Sequence, residues 1–149
     1  MRRYRMRTML LPSVAEQALM AHHEAVLRGY GLTMTQYTVL LALSRGDGRS
    51  GAQLARACGA SQQSMATVLN GMQAKDLITR TAPEAHAKVM LATLTDTGRA
   101  LLDRAYREVI ALERAPTDRF GPEEHRQFCE FLDRATATLV EQIPTPPTR

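Results

Sequence analysis

Gln62, Gln63, Ser64, Thr67 and Asn70 lie in a stretch, residues 61 to 74, that holds no charged side chain. Amides and hydroxyls without charge suit a surface that reads donors and acceptors on a partner. Gln and Asn can each pair with adenine N6 and N7, and the Thr methyl can meet that of thymine. These five residues are therefore the expected readers of base edges in duplex DNA, with a preference for A·T-rich half-sites. The stretch must be a helix for this to work. Met65, Val68, Leu69 and Met72 recur at the spacing of one buried helical face, which at about 100° per residue turns Gln63, Thr67 and Asn70 outward, with Gln62 and Ser64 flanking. A merely solvated helix would more often carry Glu and Lys there.

Reading needs an electrostatic anchor, because phosphate contacts supply affinity while base contacts supply choice. Arg49, Arg56, Lys75, Arg80 and Lys88 are the expected phosphate ligands, joined by Ser50 and by the helix N-terminus capped at Ser61. The charge distribution agrees. The chain carries a net +4, and between Arg28 and Arg99 eight basic residues face four acidic ones, whereas from Ala100 onward seven basic residues face nine acidic. The basic surplus belongs to the middle of the chain and to an arm holding Arg2, Arg3, Arg5 and Arg7. Glu84, in the polar tip between two β-prone runs, opposes deep insertion of that tip into DNA.

Other chemistry is thinly represented. His22, His23, Tyr30 and Tyr37 fall on the first two helices, and Arg28 beside them could meet a carboxylate, so these five are candidates for a ligand pocket. A His on such a helix is more often solvated or packed. His22-His23-Glu24 does not suggest a metal, since neighbouring helical residues point about 100° apart and a third ligand is missing. Cys58 precedes the reading helix, where a helix N-terminus could lower a thiol pKa, which makes it a redox candidate. A small apolar role is the commoner case for a cysteine in such a place. Cys58 and Cys129 stand 71 positions apart and offer neither a disulfide framework nor zinc spacing. No glycine-rich phosphate loop, nucleophile elbow or triad spacing is present, so neither an enzyme nor a cofactor is expected. The basic N-terminus is interrupted by Pro12 and Glu16, unlike a signal peptide, and no apolar run reaches about 18 residues, so a cytoplasmic protein without a membrane span is expected.

The elements that position the reading face follow from periodicity. A first helix is expected from about Leu10 to Tyr30, ended by Gly29 and Gly31. A second runs from Gln36 to Ser44, capped by Thr33 or Thr35, and a short third from Gly51 to Cys58. After the reading helix, Leu77-Ile78-Thr79-Arg80 and Val89-Met90-Leu91-Ala92-Thr93-Leu94 flank a polar tip and predict a two-stranded hairpin. Thr95-Asp96 caps a helix from about Thr97 to Glu113. Pro116 and Pro122 frame a break, and a last helix spans about Glu123 to Gln142. Two helices joined through a glycine turn and followed by a hairpin make a mainly α winged helix-turn-helix.

Several strings in this order resemble the MarR family of bacterial transcriptional regulators. They are Leu32-Thr33-x-x-Gln36-Tyr37-x-Val39-Leu40, Gln53-Leu54-Ala55, Met72-Gln73-x-x-x-Leu77-Ile78-x-Arg80 and Leu94-Thr95-x-x-Gly98. The resemblance covers essentially the whole chain. It implies a homodimer, interlocked through N- and C-terminal helices, that places two recognition helices in successive major grooves of a palindromic operator, most often as a repressor. It also implies a small aromatic or carboxylate effector bound between the dimer helices and the reading lobe. The family's wing commonly holds Asp-x-Arg where this chain has His86-Ala87-Lys88, so His86 and Lys88 would take the wing's contacts, without the forked reach of an Arg. An Arg is frequent in the family where Thr67 stands.

The implied organisation is a DNA-binding domain over 32–96, dimerisation helices over 1–31 and 97–143, and a flexible tail over 144–149. The dimer has its own physical argument. Leu10, Leu11, Val14, Phe128, Phe131, Leu139 and Val140 form apolar stripes larger than one compact winged helix could cover. A winged-helix module that docks another protein, without specific DNA binding, is the competing reading, sustained by the uncharged recognition helix. Steep salt dependence of duplex binding separates the two.

Overall fold

The computed structural model describes residues 7–82 and 90–141, apart from the side chains of 7–13 and 116–117. Two compact units divide the chain, Met1–Ile110 and Ala111–Arg149. Six helices and three short strands occur among the described residues: α1 Arg7–Gly29, α2 Met34–Leu43, β1 Arg49–Ser50, α3 Gly51–Ala57, α4 Gln62–Ala74, β2 Ile78–Thr81, β3 Leu91–Leu94, α5 Asp96–Thr117 and α6 Pro122–Glu141.

Capping fixes where these helices begin. Thr33, extended at φ −88° and ψ 162°, accepts the Gln36 N–H through its hydroxyl, while the Gln36 side chain accepts the Thr33 N–H. Ser50 and Gln53 repeat that reciprocal pair at α3. Ser61 caps α4 by accepting the Ser64 N–H at 3.1 Å. Each cap satisfies N–H groups that a helix start leaves without partners.

Helix ends are as specific. Gly31 takes φ +65° after α1, and the Leu32 N–H reaches the Leu27 carbonyl while the Gly31 N–H reaches that of Arg28. This is the paired bonding of a left-handed C-terminal cap. α4 ends the same way, with the Leu77 N–H on Met72 and the Asp76 N–H on Gln73, but the left-handed residue is Asp76 at φ 55° rather than a glycine. Asp is among the few side chains that tolerate this region. Asp76 is held there from both sides, since its carbonyl accepts the Thr95 hydroxyl at 2.6 Å and its carboxylate accepts the Thr97 hydroxyl at 3.1 Å.

The sheet is antiparallel in the order β1-β3-β2, with Arg49 opposite Ala92 and Arg80 opposite the same residue on the other side. The expected two-stranded hairpin is thus extended by β1. A strand of two residues offers no alternation to read, and only pairing with β3 defines it. The tip of the wing, with Pro83, Glu84, His86 and Lys88, lies outside the described residues, as do the N-terminal arm and the tail over 144–149. α5 continues through Pro116 to Thr117, so the break begins later than expected. Pro122 opens α6, a first-turn position that needs no N–H.

The core of the first unit gathers Leu27 from α1, Val39 and Leu40 from α2, Leu54 from α3, Met65 and Met72 from α4, and Ile78 from β2, all essentially fully buried. α4 is therefore clamped along its whole apolar stripe. α6, in the second unit, buries none of its residues within the protomer.

Candidate nucleic-acid interface

α4 presents the expected surface. Met65, Leu69 and Met72 are buried and Val68 is half-buried, while Gln62, Gln63, Ser64, Ala66, Thr67, Asn70 and Gln73 are exposed. The burial of one stripe against α3 and β2 fixes the helix's rotation, so the polar face is not free to roll inward. The Thr67 hydroxyl donates to the Gln63 carbonyl at 3.3 Å, which leaves its methyl and a lone pair outward. The Ser61 hydroxyl, already accepting the Ser64 N–H, bonds to the Ser64 hydroxyl at 2.8 Å.

The cations expected to meet phosphates divide into two kinds. Arg56 is exposed on the last turn of α3. Arg49 donates through Nε to the Ala42 carbonyl at 3.1 Å, and Lys75 donates to the Gly31 carbonyl at 3.1 Å. Both therefore help to satisfy carbonyls near helix C-termini, where a cation also meets the negative end of the helix dipole. Arg80 turns back from β2 onto the reading helix. Its Nε donates to the Gln73 side-chain oxygen at 2.7 Å and its Nη2 to the Asn70 oxygen at 2.5 Å. Sequence periodicity could place Arg80 on the face of β2 that Ile78 shares, but not its partners on α4.

The five ligand-pocket candidates differ in exposure. Arg28 lines a surface pocket of about 300 Å³ with Glu24, Leu32, Thr33 and Met34. His23 and Tyr37 are buried within the protomer, and His22 is exposed on α1. The Tyr30 hydroxyl donates to the Glu108 carboxylate at 2.5 Å, a bond that, together with burial, raises the phenol's pKa. Helical geometry is the reason: His22 and His23 diverge by about 100°, and Tyr37 belongs to the core stripe of α2. Among the described residues no group of three or more His, Cys, Asp or Glu could hold a metal ion.

Cys58, the redox candidate, forms the C-terminal cap of α3, three residues before the Ser61 cap of α4, and it packs half-buried against the core. Burial pushes its thiol pKa up, which lowers the thiolate fraction at neutral pH. In a Cys129→Ser background, alkylation of Cys58 followed against pH should therefore show a midpoint above that of an exposed peptide thiol. A midpoint near or below neutrality would contradict that packing.

A helix clamped by its apolar stripe, showing uncharged amides outward beside a three-stranded wing, defines a winged helix-turn-helix protein. The MarR family model matches residues 30–88. The chain is 32% identical over 131 residues to the HTH-type transcriptional repressor Rv2887 of Mycobacterium tuberculosis, covering 88% of each protein. Solved structures of that M. tuberculosis protein agree. One, in complex with DNA, aligns with a TM-score of 0.70 at 29% identity over 86% of this chain and 96% of that one. Another, in complex with p-aminosalicylic acid, aligns with a TM-score of 0.67 at 30% identity over 87% and 98%. The chain belongs to the MarR family. No helix among its described residues is long and apolar enough to cross a membrane.

Proposed function

We propose that the protein is a cytoplasmic repressor that binds a palindromic operator as a homodimer, reading base edges with Gln62, Gln63, Ser64, Thr67 and Asn70. The observation that carries this reading is the outward, charge-free face of α4, fixed in rotation by Met65, Leu69 and Met72. In this reading the helix N-terminus capped by Ser61 and the exposed Arg56 meet the backbone, and His86 and Lys88, outside the described residues, are assigned the remaining contacts. Two copies pair through the terminal helices, whose apolar side chains are left uncovered in one protomer. Relief by a small aromatic carboxylate is part of the proposal. It is supported by the p-aminosalicylic acid complex of the M. tuberculosis relative and by Arg28 at the end of α1, although Glu24 shares that pocket.

The test begins with selection of bound fragments from random duplex DNA. Gln63→Ala should reduce discrimination between selected and random DNA on the order of tenfold. Arg56→Ala should weaken both alike and lower the salt slope by about one. Identical effects of the two substitutions on both kinds of DNA would refute the division between reading and anchoring. Adding p-aminosalicylate to the selected complex should release DNA from the wild-type protein, and unchanged binding at saturating ligand would rule that effector out.

A further inference from the structure

The recognition helix holds no charge of its own, yet a guanidinium lies along its flank. Gln62, Ala66 and Leu69 from α4 line a pocket of about 430 Å³ together with Arg80 from β2 and Met90 and Ala92 near or on β3. At about 100° per residue, Gln62, Ala66, Asn70 and Gln73 fall along one side of α4, the side that faces the wing. Arg80 sits two residues after Ile78, so strand alternation puts it on the face of β2 that packs against α4. From there its fork holds Gln73 by one nitrogen and Asn70 by another.

The chemistry of that fork decides how the amides are turned. A guanidinium has only donors, so it can bond an amide only through the oxygen. The assignment of oxygen and nitrogen at Asn70 and Gln73 is thus dictated by their partner. With each oxygen drawn toward the cation by one of its two lone pairs, the N–H₂ group is what each amide turns away from Arg80. Asn70 is the one of the two that shares the outward face with Gln63 and Thr67, whereas Gln73 lies in the last turn and braces Arg80. The pairing expected of a free Asn with adenine needs oxygen and nitrogen together on the base edge.

We propose that Arg80 is a positioning residue for base recognition: by holding Asn70 and Gln73 through their amide oxygens, it makes Asn70 a donor that selects an acceptor edge in the major groove. Guanine N7 and O6 or thymine O4 meet that requirement in full, whereas adenine meets it with N7 alone and leaves its N6 amine without an acceptor. The inference rests on the proposed DNA-reading function and names one base position within it. It also departs from the uniform A·T preference that the residue types alone suggest.

Selection from random duplexes with wild type, Asn70→Asp and Arg80→Met tests it. The wild type should enrich guanine or thymine at one position in each half-site. Asn70→Asp keeps an oxygen for Arg80 but offers only acceptors outward, so that same position should change to cytosine or adenine, whose exocyclic amines donate. Arg80→Met keeps the apolar stem and frees the amide to turn; discrimination against adenine at that position should fall on the order of tenfold while the rest of the site is kept. Both side chains lie at the surface or half-buried, and unchanged thermal melting would verify folding. The proposal is overturned if Arg80→Met lowers affinity equally for every sequence and flattens the salt slope by about one, the mark of a phosphate anchor. It is equally overturned if the wild type selects adenine there and Asn70→Asp leaves that choice intact. Failure of the wild type to enrich any sequence would sink the DNA-reading function itself, an outcome distinct from either.

Discussion

Gly98→Ala should destabilise the protein by about 3 kcal/mol or more, the scale of a backbone clash that cannot be relieved by a side-chain rotation. A Cβ placed on Gly98 would stand 2.0 Å from the Leu77 carbonyl oxygen, 2.9 Å from its carbon and 3.2 Å from its Cα. All three atoms are backbone. Nor can the helix start simply move away. The Gly98 N–H donates to the Thr95 hydroxyl at 2.9 Å, the Thr95 N–H donates to the Leu77 carbonyl at 3.2 Å, and the Thr95 hydroxyl holds the Asp76 carbonyl. The turn after α4, the entry to β2 and the first turn of α5 are tied at this point. A thermal or urea melt would show the loss as a Tm lower by roughly 10 °C or more. Gly71→Ala is the matched control, since nothing lies within 4 Å of a Cβ there and alanine should raise helix stability by up to about 1 kcal/mol. A Gly98→Ala protein that melts like wild type would contradict the close approach.

Phe131→Glu is expected to convert a dimer into monomers and to weaken operator binding by roughly 100-fold or more, because two half-sites would no longer be held by one linked pair of reading helices. Phe131 is 61% exposed in the protomer, Val140 60% and Leu139 49%, and with Phe128 and Leu132 they lie along α6 at helical spacing. Val14 on α1 is 61% exposed as well. Leaving so much apolar surface in water is costly at about 25 cal/mol per Å². In the proposed homodimer a second copy of the chain covers it. Sedimentation at low micromolar concentration separates the outcomes: monomeric or unfolded Phe131→Glu protein agrees, and an unchanged dimer does not. Leu10 and Leu11, expected on the same surface, have side chains outside the described residues.

What the sequence made legible was set by side-chain periodicity. The stripe Met65, Val68, Leu69, Met72 fixes α4 and its outward amides without further information, and Ser61 announces where that helix starts; the structure decides for Thr33 over Thr35 at α2 and adds Ser50 as the cap of α3. The features it concealed depend on pairing across the chain. β1 exists only because Arg49 and Ser50 meet β3. The left-handed end of α4 carries Asp76 where a glycine would have marked it. Gly98, visible as part of Leu94-Thr95-x-x-Gly98, acquires a reason only when Leu77 is seen against it. Arg80 illustrates the limit most clearly: its type suggested a phosphate ligand, whereas its fork is spent in part on Asn70 and Gln73. Lys75 and Arg49 likewise bond backbone carbonyls that no spacing rule identifies. For Cys58 the neighbouring recognition helix suggested activation, and burial gives the opposite direction.

The central claim is that the outward face of α4 enters a major groove in each of two half-sites. The most direct measurement attaches a photoreactive group at residue 63, as Gln63→Cys in protein whose Cys58 and Cys129 are replaced by serine, and maps its crosslinks on the selected duplex. Crosslinks to bases are predicted at two symmetry-related positions about 10 base pairs apart, one helical turn. Bound DNA that acquires no crosslink from residue 63, or crosslinks at a single position without a symmetry mate, would contradict the claim.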